Sequence, residues 1–187
     1  MEAFLVSTGI VALAEIGDKT QLLALLLAAR FRKPWPIVLG IFVATLANHA
    51  MAGALGAWVT TVVSPNTMRW ILGASFLLMA VWMLIPDKLD DDAQDKPPRL
   101  GVFATTVVLF FLAEMGDKTQ IATVMLAAKY EAYAGVVAGT TLGMMLANAP
   151  VVWLGERTTR LVPLRVVHVV SALVFAVLGL LALLVRN

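Results

Sequence analysis

The chain has 187 residues, of which 60% are hydrophobic and 14% charged, with a net charge of +2 and a mean hydropathy of +0.89. A soluble domain carries about 25% charged residues, so this composition excludes an ordinary water-soluble globule and points to a polytopic α-helical membrane protein. The apolar runs lack the period-two alternation of a β-barrel, the basic residues lie in short loops rather than in a nucleic-acid patch, and the absence of cysteine excludes disulfides, thiolate metal sites and a cysteine nucleophile.

Six membrane spans are predicted in chain order. The first runs roughly from Ala3 to Ala29 and is interrupted by a polar motif. Its flank, Met1-Glu2, has no basic segment and the apolar run is long, so it reads as a retained span rather than a signal peptide. The second runs from Trp35 to Val62 and the third from Arg69 to Ile85. Trp35 and Trp70, close to the starts of these spans, suit the membrane–water interface. The stretch from Pro86 to Pro98 holds five aspartates and few apolar residues, so it reads as an acidic solvent linker. The fourth, fifth and sixth spans run from Gly101 to Ala128, Ala132 to Leu154 and Leu164 to Val185. In the fifth, Gly135, Gly139 and Gly143 form small-xxx-small steps that predict close packing on a neighbouring helix.

Basic residues set the expected orientation. One side collects Arg30, Arg32, Lys33, Lys88, Lys96, Arg99, Arg157, Arg160 and Arg165; the other has Arg69, Lys129 and Arg186. The positive-inside rule makes the first side cytoplasmic, with both termini outside. The division expected is a first three-helix repeat over residues 1–86, a cytoplasmic linker over 87–100 and a second repeat over 101–187. Three spans per half is an odd number, so the second repeat enters the membrane inverted. This is the plan of many secondary transporters, whose sites lie at the repeat interface near the midplane.

The most informative feature is a repeated motif. Leu13-Ala-Glu-Ile-Gly-Asp-Lys-Thr-Gln21 returns 99 positions later as Leu112-Ala-Glu-Met-Gly-Asp-Lys-Thr-Gln120, identical but for one residue. Each copy puts two carboxylates and a lysine inside an apolar run, a costly placement that marks function. The second span of each half adds a lone asparagine, in Leu46-Ala-Asn48 and Leu146-Ala-Asn148. Read as helix, Glu15 and Asp18 share one face with Gln21 a turn further on, and Glu114, Asp117 and Gln120 do the same. Gly17 and Gly116 weaken the helix between the carboxylates and free backbone carbonyls.

If the motifs converge, Glu15, Asp18, Gln21, Asn48, Glu114, Asp117, Gln120 and Asn148 surround one cavity. This oxygen-rich set suits Ca²⁺, Mg²⁺ or Mn²⁺; with no histidine or cysteine in the motif, it suits Zn²⁺ and Cu⁺ poorly. Four carboxylates cannot all be charged in a dry site, so some hold protons until a metal displaces them, which gives cation/proton exchange. Lys19 and Lys118 offset part of the charge, by ion pairing or by snorkelling. Thr20 and Thr119 are expected to bond back to their own helix, and Asn48, Asn148, Gln21 and Gln120 suit interhelical hydrogen bonding as well as ligation.

Other signals read as structural. His49 follows Asn48, but the second half has Ala149 there, which excludes a symmetric role. His168 has no visible partner. Met51, Met115, Met144 and Met145 could offer thioethers to a softer ion, with packing as their main reading.

The doubled E-x-G-D-K-T signature resembles that of the six-span cation/proton exchangers, a family that includes MneA-type bacterial manganese exporters and the eukaryotic Golgi calcium/manganese transporters. The likeness extends over the whole chain. It implies an all-α membrane protein of six transmembrane helices in two inverted repeats, located in the bacterial inner membrane. It also implies that Glu15, Asp18, Glu114 and Asp117 bind the ion. No cofactor is expected: Mn²⁺ or Ca²⁺ is the transported substrate and the proton the coupling ion. The reading that follows is a non-enzymatic Mn²⁺/proton exporter, acting as a monomer or homodimer among membrane lipid and without a nucleic-acid partner. Ca²⁺/proton exchange and a passive divalent cation channel are the alternatives. An intramembrane enzyme lacks a nucleophile or cofactor motif, and ATP-driven pumping lacks a nucleotide motif.

Overall fold

In the computed structural model the described residues, 1–85, 101–154 and 164–184, are almost entirely helical. They form α1 (Glu2–Glu15), α2 (Lys19–Phe31), α3 (Pro34–Val62), α4 (Pro65–Trp82), α5 (Val102–Glu114), α6 (Lys118–Tyr130), α7 (Tyr133–Leu154) and α8 (Leu164–Leu184). Helices α3, α7 and most of α8 are long and apolar enough to cross a membrane. Large side chains such as Leu39, Phe42, Leu78, Leu173 and Leu184 point outward. The chain is thus an all-helical membrane protein. The acidic linker expected over 87–100 and the loop carrying Arg157 and Arg160 lie outside the described residues.

Among the described residues eight helices stand where six spans are expected, because the first and fourth predicted spans are each broken at the motif. Gly17 and Gly116 adopt φ of +85° and +77°, a conformation open to glycine at little cost. The residue before each, Ile16 and Met115, is extended, and so is the residue after each, Asp18 and Asp117. Glu15 and Asp18 therefore do not share a helical face: Glu15 ends α1 and Asp18 caps the start of α2. Glu114 and Asp117 hold the same places between α5 and α6.

The other boundaries have local causes. Pro34 and Pro65 sit in the first turns of α3 and α4, where a missing N–H costs nothing. Ser64 accepts the Thr67 N–H at 3.3 Å and starts α4 earlier than its apolar run predicts. Arg32 and Glu131, again 99 residues apart, close α2 and α6 in the left-handed conformation, bonding back to the carbonyls of Ala28 and Ala127.

Two apolar clusters organise the packing. One joins α1 and α6 to α4, α8 and the start of α7, around Phe76, Met79, Leu126 and Phe175. The other joins α2 and α5 to α3, around Leu27, Ile37, Ile41 and Phe110. Each motif is therefore the point at which the chain passes from one cluster to the other, in opposite order: α1 to α2 in the first half, α5 to α6 in the second. Both pieces of the first broken segment pack on α7, both pieces of the second pack on α3, and α4 pairs with α8.

The small-xxx-small steps of α7 do receive a neighbour. A Cβ at Gly139 would strike the carbonyl oxygen of Phe4, and one at Gly143 would lie 2.6 Å from the carbonyl oxygen of Thr8, so α1 rests on these two glycines. Gly135 is different, with nothing nearer than 3.9 Å. Gly143→Val should therefore lower thermal stability in detergent, by about 1–3 kcal/mol for overpacking, whereas Gly135→Ala should leave the unfolding midpoint nearly unchanged. Equal midpoints for the two variants would contradict this α1–α7 contact.

Candidate functional site

At each break the chain turns tightly. The N–H of Asp18 bonds the carbonyl of Glu15 at 3.1 Å, and that of Asp117 bonds the carbonyl of Glu114 at 3.0 Å. The glutamine three residues into the next helix secures the turn from the other side. Gln21 Oε1 accepts the Gly17 N–H at 3.0 Å, and Gln120 Oε1 accepts the Gly116 N–H at 2.7 Å. The glutamine reaches back as in a capping box, but to the N–H of the residue before the N-cap, because the N-cap N–H is already taken by the glutamate carbonyl. Both side-chain oxygens are thus spent on the backbone. Gln21 Nε2 also donates to the carbonyl of Ala147 at 3.1 Å, and Gln120 Nε2 to Asn48 Oδ1 at 3.5 Å.

With the breaks fixed, the acidic groups meet. Oxygens of Glu15, Glu114 and Asp117 lie within 4.8 Å of one another, all three side chains buried. Both motifs contribute, as the sequence reading expects. Asp18, also buried, is not one of this trio. Glu15 Oε1, Glu114 Oε1 and Asp117 Oδ2 are buried without any hydrogen-bond partner. Ionised carboxylates at 4.8 Å repel by about 3 kcal/mol per pair at an effective dielectric near 20. A proton or a cation among them relieves both the repulsion and the unmet acceptors.

The glutamates are oriented by the motif's own threonines. Thr20 Oγ1 donates to Glu15 Oε2 at 2.6 Å and Thr119 Oγ1 to Glu114 Oε2 at 3.0 Å. The expected back-bonding to their own helix is overturned, because the break leaves the preceding carboxylate directly above the next helix's first turn. Sequence reasoning missed this role, although the fixed five-residue separation of Glu and Thr in both copies carries it.

The lysines divide. Lys19 Nζ pairs with Asp117 Oδ1 of the other motif at 2.8 Å, an ion pair that links the two halves. Lys118, buried, donates to the carbonyl of Ile85 at 2.9 Å beyond the end of α4 and lies 5.9 Å from the Trp82 ring.

The asparagines are brought in but do different work. Asn48 Nδ2 donates to the carbonyl of Phe111 at 3.1 Å. That carbonyl is freed by the break, since the N–H of Met115 bonds Leu112 instead. Asn148 Nδ2 donates to Glu15 Oε2 at 3.3 Å, while its Oδ1 is buried with no partner. His49 is fully buried and neither ring nitrogen has a hydrogen-bond partner.

Apolar helices wrapped around a doubled acidic centre define an ion carrier of the membrane. The chain belongs to the family described as divalent cation/proton antiporter GDT1, which matches residues 3–91 and 102–186. It is 51% identical over 181 residues to a Vibrio cholerae protein named "Putative manganese exporter", covering 96% of this chain and 90% of that protein. It is 27% identical to a GDT1-like protein of Synechocystis, over 94% of this chain and 93% of the relative. It is 28% identical to GDT1-like protein 3 of Arabidopsis thaliana, over 93% and 68%. No solved structure matches the chain.

Thr20→Val keeps the side-chain volume and removes the hydrogen bond to Glu15. A hydrogen bond to a charged group contributes about 1.5–3 kcal/mol, so divalent-cation binding by the purified protein should weaken by about tenfold or more. Calorimetric titration showing native affinity would contradict the orienting role of Thr20.

Proposed function

We propose that this protein exports Mn²⁺ across the bacterial inner membrane in exchange for protons, with both ions competing for the carboxylates of Glu15, Glu114 and Asp117. The observation that carries the reading is the convergence of these three buried side chains, from two sequence-distant motifs, each with one oxygen that has no hydrogen-bond partner. Oxygen donors without histidine or thiolate select hard divalent cations. The name of the Vibrio relative supports manganese as the ion.

Charge counting supports the exchange. Four motif carboxylates against Lys19 and Lys118 leave two negative charges. One divalent cation neutralises them, and so do two protons. The carrier can then cross between its two orientations loaded with either, while the empty, doubly negative centre is held back by the cost of moving uncompensated charge through a low-dielectric interior. On this account Asp18 completes the charge count and Asn148 offers a further oxygen, while Gln21, Gln120 and Asn48 brace the helix breaks. Full burial of the glutamates favours an occluded site over an open pore.

The architecture proposed is six crossings in two inverted repeats, residues 1–86 and 101–187 joined by a cytoplasmic linker over 87–100, with both termini outside. Its support is the recurrence of each backbone break and left-handed cap after 99 residues, and the opposite order in which the two motifs pass between the apolar clusters. Inverted repeats give alternating access about a fixed central site.

Two outcomes test this reading. Glu15→Gln and Glu114→Gln should each abolish Mn²⁺ flux in proteoliposomes while leaving a folded, monodisperse protein; normal flux in either would show that the glutamates do not share one site. Protons occupy the same oxygens as the metal, so Mn²⁺ affinity should fall as the pH is lowered from about 8 to about 6. Calorimetry giving a constant affinity over that range would contradict exchange at a common site.

A further inference from the structure

Met51, Met115, Met144 and Met145 are the methionines nearest in sequence to the motifs and asparagines. Met51 and Met115 are about half exposed, and Met145 packs against the α2–α3–α5 cluster. Met144 is different: it is fully buried, and its sulfur lies 2.8 Å from Asn148 Nδ2. The same amide nitrogen lies 3.2 Å from the Met144 carbonyl oxygen and 3.3 Å from Glu15 Oε2. A single electropositive group is therefore surrounded by a thioether, a backbone carbonyl and one of the site carboxylates. The three groups gathered around it are ones that a cation would also take as donors.

The other end of that amide makes the arrangement informative. Asn148 Oδ1 is buried and has no hydrogen-bond partner. A half-turn of the amide about its last side-chain bond exchanges N and O in nearly the same volume. The –NH₂ then leaves the three acceptors and an amide oxygen takes its place. The first half of the chain cannot copy this set, because the position one hundred residues before Met144 is Ala44. The sulfur belongs to one half only and breaks the symmetry of the oxygen donors.

We infer that Met144 is a specificity-determining residue of this transporter, its thioether serving as a soft ligand that favours Mn²⁺ over Ca²⁺ at the Glu15 side of the site. Calcium takes its six to eight ligands from oxygen and gains little from sulfur. Thioethers are soft donors, and first-row transition ions bind mixed donor sets that Ca²⁺ does not favour. The inference rests on the Mn²⁺ reading above and adds to it the group that rejects Ca²⁺.

The experiment measures kcat/KM for Mn²⁺ and Ca²⁺ exchange in proteoliposomes with wild type, Met144→Leu and, as control, Met145→Leu. Leucine keeps an apolar side chain of similar volume and removes only the sulfur. In Met144→Leu the Mn²⁺/Ca²⁺ ratio should fall about tenfold, equivalent to about 1.4 kcal/mol, through a higher KM for Mn²⁺, with Met145→Leu at the wild-type ratio. X-ray absorption of the Mn²⁺-loaded wild type should show a sulfur scatterer in the first shell that Met144→Leu lacks. A wild type that prefers Mn²⁺, with Met144→Leu unchanged in ratio and an all-oxygen first shell, would overturn this inference alone. A wild type that exchanges Ca²⁺ but not Mn²⁺ would overturn the Mn²⁺ reading and this inference with it.

Discussion

The structure depends on keeping like charges buried within 4.8 Å of one another inside an apolar protein. Three buried carboxylates, one of them paired with Lys19, are costly to hold together, because desolvation and repulsion both oppose them and an ion pair does not fully offset either. Such a centre persists only if something mobile supplies positive charge. Protons and divalent cations are the two candidates whose charge fits, and the family to which the chain belongs exchanges these two. On the function proposed above, transport follows from this uncompensated charge at the centre of the fold.

The helix breaks make that centre possible. A continuous helix would give each motif carboxylate to a different neighbour along one face and would leave no freed backbone groups. A glycine in the left-handed region ends one helix at the glutamate and starts the next at the aspartate, so both side chains sit at helix ends. The break exposes backbone donors and acceptors in an apolar setting, where each unmet group costs several kcal/mol. Gln21, Gln120 and Asn48 meet these needs from side chains. The polar residues of the motif thus fall into two kinds: those that hold the break and those whose oxygens remain unspent.

Much of this was legible in the sequence because membrane burial makes polar residues conspicuous. The doubled motif, the two asparagines and the apolar runs stand out, and the limits of α3 and α7 match their predicted spans within a residue. Glycine between the carboxylates signalled a weakened helix. It did not signal that the weakening is a full break, since single glycines are tolerated within helices at a cost of about 1 kcal/mol. Reading the motif residues as continuous helix makes the shared face of Glu15 and Asp18 and the back-bonding of Thr20 and Thr119 fail together, for the same reason. The Lys19–Asp117 pair was beyond local reasoning, because it depends on how two segments 98 residues apart approach each other. Met144 was one of several methionines until its sulfur was placed against Asn148.

The most direct test of the account is a coupled flux measurement on the wild-type protein alone, in sealed proteoliposomes carrying an internal pH dye and an internal Mn²⁺ indicator. With Mn²⁺ outside and the interior acidic, Mn²⁺ should enter while the interior becomes more alkaline, and a proton ionophore that collapses the gradient should slow the uptake. Mn²⁺ flux without proton movement, unaffected by the ionophore, would contradict a site at which the metal and protons replace one another.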